Sequence, residues 1–178
     1  MAEPKGQSPV ELISEDDIRL RVEAMADNIA PHVSNDTVAV CLLTGGLWFA
    51  ADLTRALARR GKHLLFDALW LASYGDAKES TGRIEVRAAL QRPVAGRDVL
   101  IIDDVLDSGL SLAEAVAVVK RAGAARVRTA VFARKPWPIS RAIAPDFVGW
   151  EAPARFLVGY GLDAAGRLRG LPGIAALD

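Results

Sequence analysis

Asp103 and Asp104 stand side by side, and a third acid, Asp107, opens the run Asp107-Ser108-Gly109-Leu110-Ser111. Adjacent carboxylates can accept hydrogen bonds from sugar hydroxyls or share a hard divalent cation, and residue type alone allows either. The run behind them supplies a flexible glycine, small hydroxyls and an acid. Upstream, Val99-Leu100-Ile101-Ile102 is a short apolar run of the kind that forms a strand buried on both faces of a parallel sheet. The acid pair sits where that strand is expected to end. Downstream, Leu112, Ala115, Val116 and Val119 fall at helical spacing and predict a helix over Ser111–Arg121, with Gly123 as its C-cap. Strand, acids, tight loop and helix start, in that order, suit a phosphorylated sugar. Free N–H groups at a helix N-terminus hold phosphate, and open α/β sheets place their ligands beyond the carboxyl ends of the strands.

Other elements must bring partners to that end of the sheet. Val38–Leu43 is a second buried-strand run, followed by Thr44-Gly45-Gly46 and an apolar helical stretch over Leu47–Leu57. The glycine turn again offers backbone N–H groups to an anion. Leu64–Leu71 and Val127–Phe132 read as further strands, and Arg134 and Lys135 follow the latter at its carboxyl end, on the ligand side. Ile84–Leu90 alternates apolar residues with Glu85 and Arg87, which predicts a strand with one solvated face. Pro93 and Gly96 make the turn into the central strand. Ser14 predicts the cap of a helix whose stripe is Ile18, Val22, Met25 and Ile29, ended by Pro31. Phe147–Trp150 and Arg155–Tyr160 are short β-type segments, and Ser73–Gly82 is a polar run that serves equally as a connection or a lid. Strands alternating with helices define an α/β fold, a mainly parallel sheet flanked by helices.

Bulk properties bound the rest. At 178 residues the chain is expected to form a single domain over residues 1–178, with residues 1–10 a loose polar tail. A formal net charge of +0 gives no global field for nucleic acid or an anionic membrane, so neither is expected as a partner. No signal-peptide pattern or apolar span is present in the sequence given, which points to a cytoplasmic protein. The lone Cys41 lies in an apolar run and reads as core. His32 and His63 read as solvated, without metal-site spacing.

Taken whole, Val99–Ser111 resembles the phosphoribosyl pyrophosphate signature of type I phosphoribosyltransferases, in the hypoxanthine-guanine form of two acids, two apolar residues and Asp-Ser/Thr-Gly. The likeness runs from Val38 onward. Cys41-Leu-Leu-Thr-Gly-Gly with Phe49-Ala-Ala-Asp-Leu resembles the family's pyrophosphate loop and its helix, and Ser73-Tyr74 resembles the start of its lid. Lys135-Pro136, Pro145-Asp-Phe-Val-Gly-Trp and Phe156-Leu-Val-Gly-Tyr-Gly-Leu-Asp163 resemble its purine pocket, and Arg169 matches an arginine that meets pyrophosphate.

The resemblance implies a type I phosphoribosyltransferase fold with a small hood built from terminal segments. It implies a homodimer or homotetramer that joins a 6-oxopurine to 5-phosphoribosyl pyrophosphate with Mg²⁺. Asp107 would be the general base. Asp103, Asp104, Val105, Leu106, Ser108, Gly109, Leu110 and Ser111 would hold the ribose and its 5′-phosphate, Thr44, Gly45 and Arg169 the pyrophosphate, and Ser73 and Tyr74 the lid. Lys135, Phe156, Leu157 and Asp163 would bind the base, with Asp103, Asp104 and Asp163 as metal ligands. Four positions depart from the family pattern. Thr44 replaces Lys or Arg, leaving only the backbone role there; Asp103 replaces Glu; Leu110 replaces a polar residue; Ala164 replaces an aromatic. A non-catalytic nucleotide sensor that binds RNA, and a receiver-like domain using the acid pair for Mg²⁺, are the competing classes. Zero net charge weighs against the first, and the loop after Asp107 and the C-terminal motifs against the second.

Overall fold

The computed structural model describes residues 9–73 and 84–177. In chain order the elements are β1 (Val10–Ile13), α1 (Glu15–Ile29), β2 (Val38–Leu43), α2 (Leu47–Arg59), β3 (Leu65–Ser73) and β4 (Ile84–Ala88). There follow β5 (Asp98–Leu106), α3 (Leu110–Arg121), β6 (Arg126–Arg134), β7 (Phe147–Glu151), β8 (Phe156–Val158) and β9 (Ile174–Leu177). None of the described helices is long and apolar enough to cross a membrane.

A six-stranded sheet of order β4-β3-β2-β5-β6-β7 forms the body, parallel throughout except for β4. Its central strands read as continuous apolar runs because both faces are covered. Ala39, Cys41, Leu100, Ile102, Ala130 and Phe132 face the side where α1 and α2 pack, burying Val22, Met25, Leu53 and Leu57. Val38, Val40, Leu42, Val99, Ile101 and Val131 face the other side, against Leu112, Ala115 and Val119 of α3. Helix α1 starts as its sequence predicts. Ser14 accepts from the Asp17 amide, and the Asp17 side chain reaches back to the Ser14 amide in a capping box. It ends at Ile29, and a 3₁₀ turn over Ala30–His32 carries Pro31.

The terminal segments form a second, three-stranded antiparallel sheet, β1-β9-β8, which is the expected hood. Val10 therefore belongs to a strand, paired with Ala176, and not to the tail. Its partner supplies the backbone hydrogen bonds that four residues cannot make alone.

Four further expectations are corrected. β5 does not stop at Ile102 but continues to Leu106, so the acid pair lies inside the strand. Its pairing with β2 ends at Cys41–Ile102, whereas pairing with β6 runs on to Leu106–Arg134. α3 begins one residue early, at Leu110, and α2 runs two residues further, to Arg59. The Ile84–Leu90 strand ends at Ala88, and Glu85, Val86, Arg87 and Ala88 are all exposed. β4 is the sheet's edge, so the alternation of its sequence finds no layer to bury its apolar half.

Candidate active site

The site forms where β2, β5 and β6 deliver their loops. Because β2 leaves β5 at Ile102, Asp103 and Asp104 line the edge it vacates. The loop Thr44-Gly45-Gly46 folds over that edge. A Cβ on Gly45 would lie 1.8 Å from Asp104 Oδ2, and one on Gly46 would lie 2.7 Å from the Leu42 carbonyl. Only glycine admits this approach of backbone to carboxylate. The Gly46 amide is engaged by the Leu42 carbonyl at 3.2 Å, while those of Thr44 and Gly45 have no hydrogen-bond partner among the described residues.

Asp103 and Asp104 are half-buried and in contact. The Asp104 amide donates to Asp103 Oδ1 at 3.0 Å, and the Val105 amide to Asp104 Oδ1 at 2.8 Å. Burial, joined by the charge of Asp104, holds the Asp103 carboxyl well above the usual carboxylate range. Burial also raises Asp104, opposed by the amide donors and by the positive charge of Arg169. Two crowded acids that resist ionising together are a site waiting for positive charge or for donors. Beneath them the buried Cys41 thiol is pushed up to about 12, chiefly by burial and then by the two carboxylates. That suits core packing, not a nucleophile.

Beyond Leu106 the chain turns through Asp107 and Ser108 to Gly109, whose φ of 81° lies in the left-handed region, and enters α3. The Leu110 amide donates to Ser108 Oγ at 3.4 Å, whereas the next two amides, those of Ser111 and Leu112, have no hydrogen-bond partner among the described residues and are open to an anion. Leu110, on the helix's first residue, is 53% exposed, so the position contributes its backbone. Lys135 follows β6 as Asp107 follows β5. Its amide donates to the Leu106 carbonyl at 3.1 Å, and its Nζ lies 3.6 Å from Asp107 Oδ1. The expected base and the expected base-binding cation thus face each other.

The hood adds the turn from Gly159 to Arg169. Gly161, at φ 97°, presses on the Thr44–Gly46 loop, and a Cβ there would come within 2.1 Å of the Gly45 carbonyl oxygen. Arg169 donates to the Gly161 carbonyl and pairs with Asp163 at 2.7 Å. Asp163 also accepts from the Gly166 amide at 2.6 Å. Asp163 is thereby turned toward Arg169. Among the described residues no three His, Cys, Asp or Glu side chains gather as a metal site. Phe156 is 54% exposed at the start of β8, and the Leu157 side chain is buried, leaving its backbone for any contact with ligand. Ser73 ends β3; Tyr74 and the rest of the expected lid lie outside the described residues.

Residues 16–165 match the family model of the phosphoribosyl transferase domain. The chain is 36% identical over 167 residues to the hypoxanthine-guanine phosphoribosyltransferase of Bacillus subtilis, covering 93% of this chain and 91% of that one. It is 35% identical to the enzyme of the same name from Aquifex aeolicus, over 100% and 99% of the two chains. The chain belongs to the hypoxanthine-guanine phosphoribosyltransferases. Among solved structures, the Trypanosoma cruzi hypoxanthine phosphoribosyltransferase in complex with its product IMP superposes with a TM-score of 0.86 at 27% identity, covering 98% of each chain.

As a hypoxanthine-guanine phosphoribosyltransferase it is a purine-salvage transferase. Two features of its site escape a reading of sequence. Tyr160, at φ 48°, sits between two left-handed glycines and donates to Asp52 of α2; the Gly159-Tyr160-Gly161 spacing is its one local sign. Arg141 reaches the backbone carbonyls of both Asp107 and Lys135. No local pattern announces it, because every residue carries a carbonyl.

Proposed function

We propose that this chain joins hypoxanthine or guanine to 5-phosphoribosyl pyrophosphate, giving the nucleoside monophosphate and pyrophosphate, with Asp107 as general base. The placement of Asp107 and Lys135, 3.6 Å apart on the loops after two paired parallel strands and beside the acid pair, carries this reading. As the bond from the anomeric carbon to pyrophosphate breaks, the ring nitrogen of the base forms the new glycosidic bond. Its proton passes to the Asp107 carboxylate. The Ser108–Ser111 turn and the start of α3 hold the 5′-phosphate, and Asp103 and Asp104 accept from the ribose hydroxyls. The Thr44 and Gly45 amides and Arg169 meet the pyrophosphate. Lys135 donates to the 6-oxo oxygen, and Phe156 covers the ring.

Two adjacent carboxylates with raised proton affinity suit Mg²⁺, which takes one or two carboxylates and completes its shell from substrate oxygens and water. Asp103 and Asp104 would hold it, and it would neutralise the charge gathering on the leaving pyrophosphate. Asp163 would reach it only by releasing Arg169. The protein is read as cytoplasmic and as a homodimer or homotetramer; Phe66 and Trp70, 40% and 39% exposed on β3, are a face that assembly would cover.

The test is a panel of hypoxanthine, guanine, xanthine and adenine with 5-phosphoribosyl pyrophosphate, with and without Mg²⁺, following nucleotide formation. EDTA should abolish turnover with 6-oxopurines and excess Mg²⁺ should restore it. Full activity in metal-stripped buffer would remove the metal from the reading, and absence of turnover with every base would remove the reaction.

A further inference from the structure

The strands β5 and β6 stay paired as far as Leu106 and Arg134, and the next residues on each are Asp107 and Lys135. Past that point the Lys135 amide still donates to the Leu106 carbonyl at 3.1 Å, but among the described residues no ladder bond reaches Asp107. Arg141, in the loop between β6 and β7, takes over. Its Nε donates to the Asp107 carbonyl at 2.9 Å, and its Nη2 donates to the Lys135 carbonyl. The same loop adds an Ala142 amide bond to the Ser108 carbonyl at 3.3 Å, and Ile143 packs on Gly109 so closely that a Cβ there would lie 3.3 Å from its Cγ2.

We propose that Arg141 is the positioning residue that holds the general base and the base-selecting lysine in one geometry; this rests on the roles given above to Asp107 and Lys135. Arg141 touches no reacting atom in this scheme. A guanidinium suits the task because its planar fork presents donors fixed relative to one another, so a single side chain spans two carbonyls. A lysine ammonium has rotatable donors on a flexible stem and satisfies one carbonyl at a time. Backbone carbonyls left without these donors would turn to water or shift toward other partners. The Asp107 and Lys135 side chains would then attract each other across 3.6 Å with nothing to hold their backbones apart from the sheet end. Displacements of about 1 Å at a reacting centre cost on the order of 10²-fold in rate.

The experiment compares Arg141→Ala, Arg141→Lys and Asp107→Asn with the wild type, measuring kcat and KM for hypoxanthine and for adenine in saturating 5-phosphoribosyl pyrophosphate and Mg²⁺. Arg141→Ala should lower kcat with hypoxanthine by about 10–10²-fold. It should also narrow the preference for hypoxanthine over adenine, because Lys135 is no longer placed. Arg141→Lys should recover part of both losses, and millimolar guanidinium added to Arg141→Ala should recover part of the rate. Wild-type kcat and base preference in Arg141→Ala, with Asp107→Asn inactive, would overturn the positioning role and leave the reaction scheme standing. Wild-type turnover in Asp107→Asn would instead overturn the scheme on which it rests. Should Arg141→Ala fail to fold, judged by circular dichroism, Arg141→Lys decides alone: an unchanged rate and base preference overturns the role, and a reduced rate with narrowed preference supports it.

Discussion

The phenolic hydroxyl of Tyr160 donates to Asp52 Oδ2 at 3.0 Å, joining the hood turn that carries Asp163 and Arg169 to the helix that follows Thr44–Gly46. The Tyr160 ring meets Phe132 edge-on with centroids 5.1 Å apart, and Phe132 meets Phe49 of α2 at 5.4 Å. The hood is thus held to the body by an aromatic chain ending in one polar bond. Burial, with the Asp52 carboxylate beside it, raises the phenol far above its ordinary range, so the hydroxyl stays a donor throughout the working pH range.

Tyr160→Phe keeps the ring and removes the donor. Asp52 retains Arg55 at 3.0 Å, so the carboxylate is not left alone. The loss expected is about 1 kcal/mol, the usual net worth of such a bond, read from urea unfolding midpoints. An unchanged midpoint would mean the bond contributes nothing to joining the two sheets.

Asp107→Asn preserves size and the loop's hydrogen bonding but cannot accept the purine proton. A fall in kcat of about 10²–10⁴-fold is expected, with substrate KM values nearly unchanged. Pre-steady-state measurement under conditions where chemistry limits the rate makes the comparison clean; wild-type turnover there would strip Asp107 of its role.

Lys135 can only donate, and a 6-oxo group accepts where the 6-amino group of adenine presents donors. Hypoxanthine and guanine should therefore exceed adenine in kcat/KM by up to roughly 10⁴–10⁵-fold. Lys135→Ala should collapse that ratio while leaving the affinity for 5-phosphoribosyl pyrophosphate, measured by calorimetry, within a few-fold. Equal use of adenine and hypoxanthine by the wild type would show that selection lies elsewhere.

Acid should loosen the contact between the first two helices. Arg60 donates to Asp27 at 2.7 Å, to Glu23 Oε2 at 2.7 Å and to the Glu23 carbonyl at 3.0 Å. These guanidinium bonds, with Arg59 beside Glu23, hold both carboxyls below their usual range. A carboxylate with a depressed folded-state pKa stabilises above its unfolded value and loses that contribution as pH falls through the folded one. Arg60→Gln should therefore lower Tm at pH 7, and the gap from wild type should close as pH drops below the ordinary carboxylate values of 3.8 and 4.5. A gap of constant size from pH 7 to pH 3 would show that the ion pairs are not its source.

The parts of this molecule that a sequence reveals are those governed by nearest neighbours along the chain. β2, β5 and β6 are legible because strands covered on both faces must be apolar at every position, and Ser14 with Asp17 forms a capping box inside four residues. The end of β5 was not legible. Polar residues there signal a strand end, yet pairing with β6 continues past them because the side vacated by β2 opens on the site, where carboxylates are tolerated. β1 and β9, of four residues each, escape notice because short segments take their shape from a partner across the sheet. Within the site, Asp107 and Lys135 could be placed at strand ends from the sequence, but their approach, the Arg141 fork and the pairing of Asp163 with Arg169 depend on contacts between separate loops.

The pairing of Ile13 with Ile174 has a bearing on the order in which the molecule assembles. Apart from β2 and β5, neighbouring strands of the body are joined by single helices or short connections, so their contacts close small loops. The hood must close a loop spanning nearly the entire chain, with a correspondingly larger entropic cost. On refolding, the body's helices and parallel strands are free to form while β1 still waits for β9. The Gly159–Arg169 turn, which presses on the Thr44–Gly46 loop, depends on that late closure, so secondary structure returns ahead of turnover.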